Sequence, residues 1–578
     1  MPRPLKRFWP LALALAIGLV ARLLWLSAHS VLLDEATVAI GARDIVQNHT
    51  PMWEAMSNAP FVWMIARLLG MAGLANVFLL RLPPALIGAA SIAAIYWLAR
   101  QLFDEKIAVA SAFLLALHPF AVAFSRVLFA DPFQVFFVLL GCYGFDRLAI
   151  KPWRGNSSRW PLLAYLCSIW ALAFLMKYNA IVPGALWLVS GVISRRYRLL
   201  PAFVGFLVMA LGAFLTLLLW PYDEPIWLLA FMGKAGSYGL TQAARYFAFK
   251  LHLVFFGITE IALVTGIIVA WVLRRKRGGA DTSLPNKRSS NALLHVTLFL
   301  LLEIVLLIAL GRSFERYLLV IVPFGCMLLA ALFRIAWEHI DSGFRWRGIA
   351  MRLAIVIVTG IFVFGAVQSY SNYFAYLRND VDYADLAQTV LAQETADSSR
   401  HAFWLVPEPI AAYYLGYTQR YSRAIRPNLD GPTAYQNYFE FAGVPYADTW
   451  KGDKVLSIRR LAREWGLVHI FTSPHRFMES AKRAADSARM LPRLPVVEYL
   501  ASDFVGPRDL LIMQSGFIDL QGEPILENIE HEDGPPFIPT LPLARFAVAK
   551  VYRPEGLAAN TDTMLDRVRA GAWLLTRK

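Results

Sequence analysis

Charged residues are scarce in this sequence of 578 amino acids, and cysteine is scarcer still. Asp, Glu, Lys and Arg together make up 17% of the chain, whereas soluble domains carry about a quarter. The three cysteines, Cys142, Cys167 and Cys326, all fall inside apolar runs, so the C-terminal part must fold without disulfides. Hydrophobic residues reach 57%, and the mean hydropathy is +0.48. This composition indicates a membrane protein that crosses the bilayer many times.

Several signatures of other protein classes are missing as well. The region after Tyr370 contains no Gly-rich phosphate loop, no paired Cys-x-x-Cys and no Gly-x-Ser-x-Gly. The chain also shows no internal repeat, although many transporters are built from repeated halves. The missing repeat weakens a transporter interpretation, and the tail offers no catalytic motif of its own.

Apolar runs of spanning length recur through the first two thirds of the chain. A bilayer core about 30 Å thick needs roughly 20 apolar residues per helix. The hydropathy pattern predicts about eleven spans. They are Trp9–Ala28, Phe78–Leu102, Ile107–Phe124, Pro132–Ile150, Trp160–Met176, Ala180–Ser194, Leu200–Trp220, His252–Leu273, Ala292–Leu310, Tyr317–Trp337 and Ile349–Tyr370. The first run lacks a convincing cleavage site, so we predict an uncleaved helix rather than a signal peptide.

Basic residues in the short loops predict the orientation. With the N-terminus in the cytoplasm, the Lys and Arg of the loops between spans lie mainly in the cytoplasmic loops, including Arg147, Arg195 and the run that begins at Arg274. Much of the net charge of +15 then reflects topology and anionic lipid, and we expect no nucleic-acid partner. The protein is predicted to lie in the inner (plasma) membrane, with everything after Tyr370 on the periplasmic or extracellular side.

The change from long apolar runs to short alternating elements after Tyr370 predicts two domains. Residues 1–371 form a polytopic α-helical membrane domain, in which residues 29–76 are a long first outer loop with interfacial helices. In residues 372–578, short strands such as "HAFWLV" and "LVHIFTS" alternate with amphipathic helices such as "SIRRLAREWG". This alternation is typical of an α/β domain, here an extracytoplasmic one.

Charged residues gather near one predicted membrane face, at the outer ends of different spans. A carboxylate there can accept a proton from an incoming hydroxyl, and Lys or Arg can bind a phosphate. The acids and bases concerned are Asp34, Glu35, Arg126, Asp131, Lys177, Glu315 and Arg316. Their common depth predicts a site that handles an anionic group at the outer interface.

Five stretches of the chain, in order, resemble signatures of one superfamily. They are "LLDEATVAIGARDIVQNHTPMW", "FLLRLPPALIGAASIAAIYWLARQLF", "LHPFAVAFSRVLFADPF", "FLMKYNAIVPGALWL" and "ERYLLVIVPF". The superfamily is that of the C-type (GT-C fold) glycosyltransferases related to protein O-mannosyltransferases and aminoarabinose transferases. The resemblance implies inverting transfer of a monosaccharide from a polyprenyl-phosphate donor, without a nucleotide sugar. The acceptor would be a glycolipid, a cell-wall polymer or a protein.

The resemblance also implies roles for individual residues. Asp34 matches the first-loop catalytic acid, acting as general base, and Asp131 matches the second-loop acid. Lys177 and Arg316 fall where contacts to the lipid phosphate are expected. This chain has Lys-Tyr-Asn, beginning at Lys177, where many relatives have Lys-Gly. The full set of expected substrate-binding residues is Glu35, Lys177, Arg245, Glu315, Arg316 and Arg126.

Each assignment has a structural alternative. Asp34 could cap a helix, and Asp131, which precedes Pro132, could do the same. Lys177 and Arg316 could be bases that extend to the membrane interface. Arg126 could pair with an acid to hold helices together. No dedicated metal site is predicted, and the question of a divalent cation held with the help of Asp131 stays open.

Two other functions remain as alternatives. A transporter or flippase for a lipid-linked or small anionic solute predicts functional charges near mid-membrane and repeated halves. A non-catalytic scaffold for envelope assembly predicts tolerance of Asp34→Asn. The clustering of charges at one interface favours the glycosyltransferase.

Overall fold

The computed structural model describes the greater part of the helical region and shorter pieces of the C-terminal region. Described are residues 3–49, 59–150, 159–219, 287–309, 315–340, 382–396, 402–405, 408–416, 469–472, 510–514, 546–552 and 572–577, with the single positions 360, 364, 367 and 370. The predicted span His252–Leu273, most of Ile349–Tyr370, and Arg245 lie outside the described residues.

The chain divides into two compact units. The first comprises Met1–Leu26, Met52–Met64 and Arg81–Tyr373. The second comprises Ser27–Pro51, Ile65–Leu80 and Phe374–Lys578.

The described part of the chain is mainly helical up to residue 340. Its helices are α1 (Arg3–Leu23), α2 (Leu33–Asn48), α3 (Ala59–Ala75), α4 (Val77–Leu102), α5 (Glu105–Ala116), α6 (Pro119–Ser125), α7 (Asp131–Ile150), α8 (Trp160–Met176), α9 (Ile181–Ile193), α10 (Leu199–Leu219), α11 (Lys287–Ala309) and α12 (Val322–Ile340). Two 3₁₀ turns, Tyr178–Ala180 and Glu315–Val320, precede α9 and α12.

Several of these helices have the length and apolar character of membrane spans. Val77–Leu102, Leu199–Thr216 and Ser290–Ala309 each qualify on their own. Helices α5 and α6 qualify together but are bent by 58°. The helical, apolar character predicted from composition is therefore confirmed in these elements, whereas the number of about eleven spans stays a prediction.

The bend corresponds to the predicted span Ile107–Phe124, which is broken in two. Helix α5 ends at Ala116, and α6 begins at Pro119, whose ring removes a main-chain donor. The His118 side chain then accepts a hydrogen bond from the Ala121 N–H at 3.4 Å and caps α6. A proline after a capping residue starts a new helix, which explains the break.

Glycines allow the close packing of α7, α8 and α9 around a buried tryptophan. Trp170 of α8 is 1% exposed and stacks on Phe145 of α7 with ring centroids 5.2 Å apart. A Cβ atom on Gly141 or on Gly184 would lie 2.5 Å from atoms of the Trp170 ring system. Because such a contact is too short for any side chain, both positions require glycine.

A buried polar network surrounds Asp146 near the C-terminal end of α7. The Asp146 side chain is fully buried, and its Oδ1 lies 2.8 Å from Arg196 Nε and 3.4 Å from Tyr197 Oη. Its Oδ2 accepts from Gln101 Nε2 at 2.7 Å, and Tyr197 Oη accepts from Trp187 Nε1 at 3.0 Å. The network thus links α4, α7 and α9 to the loop that follows α9.

Two groups of this network have shifted pKa values. Burial lowers the pKa of Arg196, but the adjacent Asp146 carboxylate and Tyr197 hydroxyl together raise it, and the net shift is upward. Burial, and then Asp146, raise the pKa of Tyr197 well above its ordinary value. A charged guanidinium and a neutral phenol therefore face the carboxylate.

We expect Asp146→Ala to lower the free energy of unfolding by about 3–5 kcal/mol, because it leaves the buried Arg196 guanidinium without its counter-ion. Unfolding in mixed detergent and SDS, followed by tryptophan fluorescence, measures this loss. Arg100→Ala is the control, since the Arg100–Glu105 pair has both side chains 33% exposed. Pairs at such exposed positions contribute about 0–1 kcal/mol. Equal losses for the two variants would contradict the prediction.

The described C-terminal part of the second unit combines helices with a sheet. Helices α13 (Tyr383–Ala396) and α14 (Glu408–Tyr414) accompany strands β1 (Ala402–Leu405), β2 (His469–Thr472), β3 (Leu510–Gln514), β4 (Phe546–Tyr552) and β5 (Ala572–Arg577). The strand order is β2-β1-β3-β5-β4. β1 pairs in parallel with β2 and β3, whereas β5 is antiparallel to β3 and β4. Alternating buried residues, such as Leu510 and Ile512, face the core.

Candidate functional site

A buried ion pair joins the start of α7 to the end of α8. Asp131 is the first residue of α7, and Lys177 follows the last residue of α8, where its main-chain N–H donates to Ala173 O at 3.0 Å. Lys177 Nζ lies 2.5 Å from Asp131 Oδ1. The Lys177 and Asp131 side chains are only 10% and 4% exposed. The pair therefore joins the first residue of α7 to the residue that follows α8.

Aromatic rings and a second cation complete this cluster. Tyr317, in the 3₁₀ turn before α12, places its ring centroid 4.7 Å from Lys177 Nζ. Arg316 Cζ lies 5.7 Å from the centroid of Phe129 and 5.9 Å from that of Tyr317. These separations allow cation–π attraction, which is stronger where the cation is desolvated. The structure therefore brings Lys177 and Arg316 to the same aromatic ring, that of Tyr317.

A hydrogen bond next to the ion pair fixes the turn that follows Lys177. Gln134 lies one helical turn beyond Asp131 and is 2% exposed. Its Nε2 donates to Asn179 Oδ1 at 3.0 Å. The Lys177 carbonyl accepts from the Ala180 N–H at 2.9 Å, which closes the 3₁₀ turn. The Tyr-Asn sequence after Lys177 thus forms an ordered turn tied to α7.

The cluster brings the cations Lys177 and Arg316 together with the Asp131 carboxylate, and the Lys177–Asp131 pair is largely excluded from water. Lys177 donates to Asp131, and an ammonium has three donors, so it can also bind an anionic oxygen. The planar guanidinium of Arg316 suits two oxygens of one phosphate. The two cationic groups make an anion, such as a phosphate group, a chemical class that this cluster suits.

Arg126 takes part in holding helix α1. Its guanidinium is buried, and it donates to the main-chain oxygens of Ala21, Arg22 and Trp25 at 3.1, 3.4 and 2.8 Å, and also to that of Leu24. The last carbonyls of a helix have no partner within the helix. Arg126 satisfies such carbonyls and so holds the end of α1, and its expected substrate contact stays a prediction.

Asp34 and Glu35 belong to the second unit, at the start of α2. Leu32, rather than Asp34, precedes the first helical turn. Glu35 is fully buried, and its Oε2 accepts from the Leu32 N–H at 2.8 Å. Because successive side chains on a helix diverge by about 100°, Asp34 points elsewhere and is half-buried. The helix-start contact is made by Glu35, which differs from the prediction of a cap at Asp34.

The remaining predicted residues are placed only in part. Glu315 begins the 3₁₀ turn that contains Arg316, but its side chain is not among the described ones, and Arg245 lies outside the described residues altogether. Within the described ranges, no group of three or more His, Cys, Asp and Glu side chains could hold a metal ion.

Some residues of the cluster are absent from the sequence-based set. In the sequence analysis Tyr317 is only the first residue of a predicted span, and Gln134 and Asn179 have no predicted role. Their signal in the sequence is adjacency, because each lies within three residues of Asp131, Lys177 or Arg316. Adjacency alone does not reveal which neighbours turn toward the cluster.

Comparison with protein families gives a match over part of the chain. Residues 57–220 match the family described as dolichyl-phosphate-mannose-protein mannosyltransferase. The matched segment is less than half of the chain, and it contains Arg126, Asp131 and Lys177. Over these residues it confirms the predicted resemblance to the protein O-mannosyltransferase superfamily. No curated protein matches the sequence.

Solved structures of membrane glycosyltransferases are similar to the chain at low identity. ArnT from Cupriavidus metallidurans bound to undecaprenyl phosphate is 16% identical, with 88% of this chain and 92% of that chain covered and a TM-score of 0.45. The Archaeoglobus fulgidus oligosaccharyltransferase tethered to an acceptor peptide is 11% identical, with 80% and 71% covered and a TM-score of 0.49. AglB from the same organism, in complex with an inhibitory peptide and a dolichol-phosphate, is 11% identical, with 80% of this chain and 68% of that chain covered and a TM-score of 0.48.

Proposed function

We propose that this protein is an integral membrane glycosyltransferase that moves a monosaccharide from a polyprenyl-phosphate donor to an acceptor on the outer side of the membrane. The observation that carries the proposal is the buried Asp131–Lys177 pair, with Arg316 near the same Tyr317 ring. Three separate chain segments contribute to this cluster, whose Lys and Arg cations suit a lipid phosphate. The family match supports it, because that family is described by a dolichyl-phosphate sugar donor.

The reaction needs a base and a stabilised leaving group. Asp34, as carboxylate, takes the proton of the acceptor hydroxyl while its oxygen bonds to the anomeric carbon. The bond from that carbon to the phosphate oxygen breaks on the opposite face, which inverts the configuration. General-base help typically contributes about 10²–10⁴-fold.

The cations stabilise the departing polyprenyl phosphate, which gains negative charge as the bond breaks. Lys177 and Arg316 supply this stabilisation, and Arg245 and Glu315 are proposed from the sequence to complete the binding site. Fixed charges in a water-excluded site act without reorganisation, so they are effective in the transition state. Asp131 orients Lys177 through their 2.5 Å contact, a role consistent with an acid that positions a base.

The proposed topology follows from the loop charges. The N-terminus lies in the cytoplasm, the protein spans the inner membrane, and residues 372–578 lie in the periplasm or outside the cell. The partners are the lipid-linked donor, a glycan, lipid or protein acceptor, and membrane lipids. A periplasmic domain could cover the reacting groups or bind the acceptor.

Transfer assays with synthetic donors test the proposed function. Polyprenyl phosphates carrying radiolabelled hexoses and pentoses are incubated with the purified protein and membrane extracts. We expect label to pass from at least one donor to extracted lipid, polymer or protein. If label instead crosses reconstituted vesicles still attached to polyprenyl phosphate, and no product forms, the protein is a flippase and the proposal is wrong.

A further inference from the structure

The helix that carries Asp34 is held by residues far along the chain. Ahead of α2, the buried Val31 N–H donates to the Tyr414 hydroxyl at 3.1 Å. The hydroxyl of Ser30 accepts from the main-chain N–H of Tyr383 at 3.3 Å. Two residues just before α2 are therefore bound to the start of α13 and to the end of α14, more than 350 positions away in sequence.

A third contact holds the middle of α2. Arg43 is 5% exposed, and its Nη1 donates to the main-chain oxygen of Tyr413 at 2.6 Å. The same guanidinium carbon lies 4.5 Å from the centroid of the Tyr413 ring. Tyr413 is itself 1% exposed, so the cation and the ring are desolvated together. A desolvated cation–π contact combined with a charged hydrogen bond fixes both the rotation and the height of α2 against α14.

We propose that α13 and α14 of the C-terminal region are part of the catalytic apparatus, in which Tyr414, Tyr413 and Arg43 act as positioning residues for Asp34. The inference rests on the proposed function, because it assumes that Asp34 is the general base. None of these residues touches substrate. They fix where the Asp34 carboxylate stands.

The geometry gives a physical reason for this arrangement. Asp34 lies in the first turn of a 16-residue helix, and the turn at a helix end is the part that frays most readily. The Tyr414 hydroxyl binds three residues before Asp34, and Arg43 binds nine residues after it, so the helix is held on both sides of the acid. Misplacement of a reacting group by about 1 Å can cost about 10²-fold in rate.

Tyr414→Phe tests the contact at the helix start with the loss of one oxygen atom. We expect kcat for sugar transfer to fall about 10-fold, with the KM for the lipid donor unchanged, because the Val31 N–H loses its acceptor while the ring stays in place. Arg43→Gln should lower kcat further, by about 10²-fold. Lys550→Met is the matched control, since the exposed Lys550–Asp385 pair joins β4 to α13. It should change kcat less than twofold.

Amide hydrogen exchange of the full-length protein in detergent separates positioning from unfolding. In Tyr414→Phe we expect faster exchange at residues 31–36 and unchanged exchange in β4 and β5. If the strands exchange faster as well, the variant has loosened the whole region. The double-variant comparison with Asp34→Asn then decides, because equal losses of rate in both backgrounds overturn the positioning role.

A double-variant comparison with Asp34→Asn completes the test. Once the base is removed, its position no longer matters, so Tyr414→Phe should lower the residual rate of Asp34→Asn by less than twofold. A full 10-fold loss in both backgrounds would overturn the inference and leave the proposed function intact. Full activity of Asp34→Asn would instead overturn the assignment of the base, and the inference with it. Normal kcat in Tyr414→Phe and Arg43→Gln, with Asp34→Asn inactive, overturns the inference alone.

Discussion

Asp34→Asn is expected to lower the rate of sugar transfer by about 10²–10⁴-fold, the usual contribution of a general base. The substitution preserves the shape and removes only the negative charge and the proton-accepting capacity. The acceptor hydroxyl then attacks without assistance, while donor binding should be retained because the proposed phosphate contacts, Lys177 and Arg316, are unchanged. We therefore expect a fall in kcat with a nearly constant KM for the donor, measured by transfer of radiolabelled sugar.

Asp104→Asn is the matched control for this experiment. Asp104 caps α5 by accepting from the Ile107 N–H at 2.8 Å, and Asn caps helices about as well as Asp. The control makes the same chemical change at a site remote in sequence from the proposed chemistry, so transfer should stay within about twofold. Equal labelling by native protein and Asp34→Asn would remove Asp34 from the mechanism.

Lys177→Met is the second substitution with a large expected effect. Methionine retains an unbranched chain but leaves Asp131 as a buried acid without its cation, which costs about 3–5 kcal/mol of unfolding free energy. Loss of a positioned charge at the leaving phosphate should also reduce kcat by about 10²–10³-fold. Unfolding in detergent and transfer kinetics on the same preparation measure the two effects.

The double variant Asp131→Asn with Lys177→Met separates stability from chemistry. Both charges are then absent, so no unpaired ion remains, and we expect most of the lost stability to return. Transfer should not return, because the phosphate still lacks its cation. Recovery of activity along with stability would mean that the pair only holds α7 to α8, which is the structural alternative for both residues.

The cluster at Asp131 and Lys177 could be anticipated because charges are rare beside apolar runs and conspicuous there. Each residue adjoins a predicted span, and the topology predicted from the loop charges puts both on the same membrane face. The sequence does not contain the rotation of each side chain about its helix. For that reason the Tyr317 ring against Lys177, at 4.7 Å, emerges only from coordinates.

The same limit explains the differences at Glu35 and His118. Asp34 and Glu35 are adjacent acids at a helix start, and pattern alone does not distinguish which one turns inward to the Leu32 N–H. The span Ile107–Phe124 is uniformly apolar, so hydropathy passes over the break before Pro119. Contacts between positions more than 350 residues apart, such as Val31 with Tyr414, have no local pattern at all.

Helix α7 has a buried carboxylate bonded to a cation near each of its ends, Asp131 with Lys177 and Asp146 with Arg196. Fifteen residues separate the two acids, about 22 Å along the axis. A slip of one residue would turn both carboxylates by about 100° and shift them by about 1.5 Å, which breaks both ion pairs at once. The helix can therefore neither screw nor slide by small steps, and the two ion pairs act as pins that keep Asp131 in register with Lys177.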